Sequence, residues 1–111
     1  MRKLILLLGA LTLVAALAIP ALAATRSITV GDRYFVRNHT KPTVTVHQGT
    51  TVRWVWRGKQ RHNVTAISGP THFSSRTITH GTFSRRFTRR GTYQIVCTIH
   101  PGMEMKLRVI R

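Results

Sequence analysis

The chain has 111 residues, of which 18 are Lys or Arg and only two are acidic, so its formal net charge is +16. A single domain of this size buries a thin core, and the one cysteine excludes an internal disulfide. A basic composition is typical of nucleic-acid binding, but we find no zinc-finger spacing, helix-turn-helix pattern or aromatic stacking signature in this sequence. We therefore predict no nucleic-acid partner.

The first 23 residues are typical of a secretion signal peptide. A basic pair at positions 2 and 3 precedes an apolar run over 4–19, and the triplet Ala21-Leu22-Ala23 has the small-x-small pattern of a cleavage site. An uncleaved membrane anchor is the alternative, although the run is short for a span and is ended by Pro20. We predict cleavage after residue 23 and export to the periplasm, cell surface or medium, with residues 24–111 forming one domain.

Short runs of alternating apolar and polar residues follow, separated by glycine-containing turns and without helical periodicity. Seven runs are predicted to be strands: RSITV (26–30), TVTVH (43–47), TVRWVW (51–56), HNVTAI (62–67), TFSRRF (82–87), TYQIVC (92–97) and MKLRVI (105–110). The segment 70–81 is predicted to be a loop with a short edge strand. Seven to eight strands in so short a chain predict an all-β sandwich or a small barrel.

Alternation along these strands predicts which side chains face the core. Two faces are wholly apolar, namely Val52, Trp54 and Trp56, and Met105, Leu107 and Val109. The face formed by Phe83, Arg85 and Phe87 is different, because a regular strand would direct Arg85 inward. Either a bulge intervenes or that face is solvated, and the sequence leaves both interpretations open.

The only cysteine lies in the stretch CTIHPGM (97–103), where Cys97, His100 and Met103 are spaced three residues apart. A tight loop with this spacing can direct a thiolate, an imidazole and a thioether at one ion, and His62 can supply a second imidazole from another loop. Two histidines, a cysteine and a weak axial methionine form the ligand set of copper electron-transfer sites. Structural zinc sites prefer more thiolates, and calcium or magnesium needs carboxylates. A simple buried thiol at Cys97 is the alternative.

Met105 competes with Met103 as an axial ligand, but its strand face is shared with Leu107 and Val109, so we assign Met105 to the core. The remaining histidines have no partner pattern and are predicted to be solvated: His39, His47, His72 and His80.

These residues together resemble a known family. The stretches HQGTTVRWVWRGKQRHNVTA, GTFSRRFTRRGTY and YQIVCTIHPGM are similar to cupredoxins of the plastocyanin, amicyanin and halocyanin kind, over residues 28–110. The resemblance implies a Greek-key β-sandwich with one type 1 copper ion, bound by His62, Cys97, His100 and an axial Met103. It also implies that Asn63 ties the two ligand loops together by hydrogen bonds. We expect an apolar shell around the site formed by Phe35, Trp54, Trp56 and Ile99.

The function that this resemblance implies is one-electron transfer through a mononuclear blue-copper site. We expect the protein to be exported, to be a monomer and not to be an enzyme. Val96 and Thr98 flank the thiolate where multicopper oxidases have histidines, and a binuclear centre would need a second thiolate. His100 is the predicted electron port to a redox partner protein. The positive charge favours a partner with an acidic surface and is compatible with an anionic membrane surface, although a merely solvated basic surface is the alternative. The rival functions are copper binding or delivery without a redox partner, and a basic sandwich without metal.

Overall fold

A computed structural model describes residues 24–111, and the predicted signal peptide at 1–23 lies outside the described residues. The described part of the chain forms eight strands: β1 (Thr25–Val30), β2 (Thr43–His47), β3 (Thr51–Trp56), β4 (Thr65–Ser68), β5 (Phe73–Ser74), β6 (Thr82–Arg86), β7 (Gly91–Val96) and β8 (Glu104–Ile110). None of the described residues forms a helix of the length and hydropathy needed to cross a membrane.

The strands form two sheets, one with the order β1-β3-β6 and the other with the order β2-β8-β7-β4-β5. Only β1 with β3 and β2 with β8 pair in parallel, while the other neighbours are antiparallel. The chain passes between the sheets five times, so strands that are neighbours in sequence usually lie on opposite sides of the core. The predicted all-β sandwich is confirmed.

The core lies between the two sheets and follows the predicted alternation. Every second residue of β3 and β8 is buried, including both tryptophans and Met105. Aromatic rings fill the centre, where Phe87 lies 6.1 Å from Trp54 and 5.1 Å from Tyr93 between ring centroids. Such edge-to-face pairs stabilise the sandwich beyond the area that they bury.

Arg85 lies on the core side of β6 without a bulge. β6 pairs with β3 in unbroken register, with Arg85 opposite Val52 and Phe83 opposite Trp54. The Arg85 guanidinium lies 4.8 Å from the ring centroid of Phe73, a residue of β5 in the other sheet. Because β5 and β6 are both edge strands, Arg85 can pack its aliphatic stem at the border of the core and place its charge over an aromatic face. The face that seemed to conflict with the alternation is therefore regular, with Phe83 and Arg85 half-buried and Phe87 buried in the core.

The fourth strand is shorter than predicted. The strand starts at Thr65, whereas His62 forms an isolated bridge with Ile78, with N–H···O distances of 3.0 and 3.1 Å in the two directions. Residues 62–64 thus leave the sheet at one end of the sandwich, which frees the His62 side chain from strand geometry. The short edge strand predicted within 70–81 is β5.

Candidate metal centre

Two imidazoles and the thiol converge at the end of the sandwich where β3 leads to β4 and β7 leads to β8. His62 follows the turn after β3, Cys97 comes directly after β7, and His100 lies in the next loop. The two Nδ1 atoms are 3.1 Å apart, and the Cys97 Sγ lies 4.0 Å from Nδ1 of His62 and 3.6 Å from Nδ1 of His100. His62 and Cys97 are buried, while His100 is half-buried.

These three donors fit a single metal ion. An ion bound at about 2.0–2.1 Å from nitrogen and 2.3 Å from sulfur, at near-tetrahedral angles, separates its donors by about 3.3–3.6 Å. The observed separations of 3.1, 3.6 and 4.0 Å bracket that range. A soft thiolate with two imidazoles suits copper, and the arrangement supports a single copper site.

The loop 97–103 is the tight turn that the spacing predicts. The Cys97 N–H donates to the Met103 carbonyl at 2.9 Å, and the Met103 N–H donates to the His100 carbonyl at 3.1 Å. Gly102 supplies the backbone φ of +83° that the turn requires. Met103 is buried next to the start of β8. Met105 faces the core opposite Ile95, in agreement with its assignment to core packing.

Asn63 joins the two ligand-bearing segments, as the resemblance implies. Its Nδ2 donates to Oγ1 of Thr98 at 2.8 Å and of Thr77 at 3.1 Å. Its Oδ1 accepts from the Thr98 N–H at 3.1 Å and from the Thr65 hydroxyl at 2.8 Å. The buried amide therefore uses both ends, and it couples the chain after His62 to the chain after Cys97.

Asp32 is a site residue that the sequence analysis missed. The His62 Nε2–H donates to the Asp32 Oδ1 at 2.9 Å, and the N–H groups of Lys59 and Gln60 donate to the same carboxylate at 2.9–3.1 Å. The hydrogen bond from His62, followed by those from Gln60 and Lys59, lowers the pKa of Asp32 to about 2. The only available signal was that Asp32 is one of two acids in a very basic chain, because no spacing links positions 32 and 62.

His100 lies at the boundary between the site and the surface. Burial, with repulsion from His62 and Arg33, lowers the pKa of His100 below its usual value, which favours the neutral imidazole that a metal requires. Its neighbour Ile99, one of the residues expected in the apolar shell around the site, is 48% exposed. The loop has no strand partner there and turns Ile99 outward, where it forms an apolar rim beside His100.

The other predicted shell residues are all buried, namely Phe35, Trp54 and Trp56. The two tryptophans contact different parts of the molecule. The Trp56 Nε1–H donates to the His62 carbonyl at 3.1 Å, so Trp56 supports the ligand backbone directly. The ring contacts of Trp54 are instead with Phe73, Phe83 and Phe87. The four histidines expected to be solvated are all exposed: His39, His47, His72 and His80.

Comparison with known proteins agrees with this geometry. Residues 29–110 match the model of the copper-binding proteins of the plastocyanin/azurin family. No curated protein gives a significant sequence match.

Several solved structures share the fold. A reduced tryptophan-to-tyrosine variant of amicyanin is 27% identical with a TM-score of 0.66, covering 83% of this chain and 87% of that chain. An oxidised methionine-to-leucine variant of amicyanin is 26% identical with a TM-score of 0.65, covering 76% and 80%. The Cu-containing nitrite reductase NirK from Thermus scotoductus SA-01 is 25% identical with a TM-score of 0.68, covering 78% of this chain. The chain spans only 22% of that nitrite reductase.

Proposed function

The chain belongs to the plastocyanin/azurin family of copper-binding proteins, and we propose that it is an exported blue-copper protein that transfers single electrons. In this proposal His62, Cys97, His100 and Met103 would hold one type 1 copper ion. The observation that carries the proposal is the convergence of two Nδ1 atoms and one Sγ within 4.8 Å of one another.

When bound, copper supplies a one-electron Cu(II)/Cu(I) couple whose potential depends on the axial ligand and on the surroundings of the thiolate. The residues around the site keep the cage in place. Asn63 links the two ligand segments, and the backbone bonds between Cys97, His100 and Met103 keep the loop closed. A cage held in this way changes little between oxidation states, which suits electron transfer.

His100 is the proposed electron port, because it is the one imidazole of the set that reaches the surface. Its loop presents Ile99, Pro101 and Gly102 to solvent, so a partner can approach the ring edge over a partly apolar rim. Beside this loop, Arg33 lines a surface groove of about 370 Å³ that also borders Gly102, and the other charged residues of the groove, Lys41 and Glu104, form an ion pair. The net positive charge of the chain, to which Arg33 contributes, favours encounter with an acidic redox partner protein.

We infer a carrier rather than an enzyme. The amicyanin structures are matched over 80% and 87% of their own lengths, whereas the nitrite reductase is matched over 22% of its length. The site proposed here also has a full set of four protein ligands, which leaves no ligand position for a substrate.

The test is the visible spectrum after Cu(II) is added to the apoprotein. We expect an intense blue thiolate band that Cys97→Ser abolishes and Met103→Leu alters. Met105→Leu is the matched control, because Met105 lies two residues away and faces the core; we expect it to leave the band unchanged. A colourless and weakly bound Cu(I) complex would support copper delivery instead. The absence of any metal binding would support the remaining alternative, a basic β-sandwich without a metal.

Export is tested separately from the copper site. The proposal predicts that the protein recovered from cells expressing residues 1–111 begins at Ala24 and lies outside the cytoplasm. Retention of residues 1–23 in a membrane fraction would support an anchor. A separate measurement tests whether the mature chain binds to anionic vesicles and is released by salt. Such release would show that its positive charge also attracts it to a membrane surface.

A further inference from the structure

We propose that Asp32 is a positioning residue for the copper ligand His62, and that its carboxylate lowers the reduction potential of the site. This inference rests on the proposed function, since it takes His62 to be a ligand. The structure places an acidic side chain on the ring nitrogen of His62 that faces away from the other ligands.

The two ring nitrogens of His62 have separate partners. Nδ1 points to the cluster formed with Cys97 and His100, while Nε2 lies 2.9 Å from the Asp32 Oδ1. An ionised carboxylate can only accept a hydrogen bond, so Nε2 carries the proton and the lone pair of Nδ1 is left for the metal. A carboxylate bonded to the far nitrogen orients a ligand imidazole and makes it a stronger donor. His62 is fully buried, whereas the Asp32 side chain is 37% exposed, so the carboxylate separates Nε2 from solvent.

Asp32 is itself held by the turn that precedes His62. The N–H groups of Lys59 and Gln60 donate to its carboxylate at 2.9–3.1 Å. At Gly58 an added Cβ would lie 2.1 Å from the Asp32 Oδ1, so the turn closes on the carboxylate only because this residue has no side chain. Two N–H donors from one short turn therefore fix one carboxylate, and that carboxylate fixes one ligand ring.

The charge of Asp32 is exceptional in this chain. The sequence has two acids and a formal charge of +16, and the other acid, Glu104, forms a 3.3 Å ion pair with Lys41. A nearby negative charge stabilises Cu(II) more than Cu(I), because the interaction grows with the charge of the ion. Preferential stabilisation of the oxidised ion lowers the reduction potential. The positive charges of the remaining basic residues act in the opposite direction.

The experiment compares Asp32→Asn and Asp32→Ala with the unchanged protein. Losing a partner of this kind typically costs 10–100-fold in metal affinity. A tenfold loss borne by Cu(II) alone corresponds to a rise of 59 mV in a one-electron potential. We therefore expect both variants to have raised potentials, with Asp32→Ala raised more because Asn still offers an acceptor oxygen. In the zinc-loaded protein we expect the His62 Nε2 proton, observed by NMR, to exchange faster with solvent in Asp32→Ala.

Glu104→Gln is the matched control, because it removes the same charge from a residue paired with a lysine rather than with a histidine. An equal rise of potential in Glu104→Gln and Asp32→Asn would overturn the proposal, as would an unchanged Nε2 proton in Asp32→Ala. If Asp32→Ala does not fold, the test rests on the reduction potential of Asp32→Asn compared with that of Glu104→Gln. Failure of the unchanged protein to form a Cys97-dependent blue band would refute the proposed function, whereas a blue protein with unshifted Asp32 variants refutes only this inference.

Discussion

Replacing Asn63 by alanine should destabilise the apoprotein, because one buried amide joins the two segments that carry the ligands. Asn63 is 3% exposed and makes four hydrogen bonds, two with Thr98, one with Thr77 and one with Thr65. Alanine removes all four at once. It also leaves the chain after Cys97 without this connection to the chain after His62.

The magnitude follows from those four bonds. Each hydrogen bond contributes a net stabilisation of about 0.5–1.5 kcal/mol, which gives about 2–6 kcal/mol in total. The threonine partners are half-buried or exposed and can turn to water, so we expect a loss of about 2–3 kcal/mol, at the lower end of that range. In a domain of this length each kcal/mol moves Tm by about 4–8 °C, so the apoprotein of Asn63→Ala should melt about 10–20 °C lower.

The assay is thermal unfolding of the metal-free protein, followed by far-ultraviolet circular dichroism. Thr77→Val is the control, because it removes only one of the four bonds, and we expect about a quarter of the effect of Asn63→Ala. If Asn63→Ala lowered Tm no more than Thr77→Val does, water would be replacing the amide at little cost. The idea that Asn63 couples the ligand segments would then be wrong.

Three further predictions concern the edge of the sandwich, the turn and the surface. Arg85→Ala should lower the unfolding free energy by about 1 kcal/mol through loss of the contact with Phe73, whereas Arg85→Met should recover part of it; equal urea midpoints for all three proteins would contradict this. Gly58→Ala should cost about 1–3 kcal/mol in urea unfolding, because its Cβ overlaps the Asp32 carboxylate, and wild-type stability would show that the turn relaxes freely. Oxidation of the reduced protein by ferricyanide, an anion, should slow as salt is added. Arg33→Gln should weaken that dependence, and a rate insensitive to ionic strength would argue against steering by the basic surface.

The strands were predictable because alternation is a local property. In β3 and β8, a residue that faces the core is followed by one that faces solvent. The sequence pattern therefore predicts which side chains are buried even when the partner strand is not known. The environment of Arg85 was harder to predict, because a local pattern does not show contacts with the other sheet. Its environment depends on Phe73, which reaches it from the edge of the other sheet, and no pattern within β6 contains that contact.

The convergence of two imidazoles and one thiol was predictable for a different reason, namely that few residue types can form a copper site. The one cysteine, with His100 and Met103 at fixed spacing, limits the chemistry of the loop, and the family resemblance then implies His62. The contact between Asp32 and His62 joins residues 30 positions apart, in the segments that follow the paired strands β1 and β3. It depends on how the turn before His62 closes, and only the folded chain shows that.

The ligands are restrained to different degrees before any metal binds. His62 is held by Asp32 on its ring and by Ile78 on its backbone. Cys97 is held through its N–H, which bonds to Met103. The His100 ring, among the described residues, has hydrogen-bond contacts only with the other two ligands. Since an imidazole without outer partners is the easiest to reorient, the surface ligand that we propose as the electron port is also the one whose position depends most on the ion.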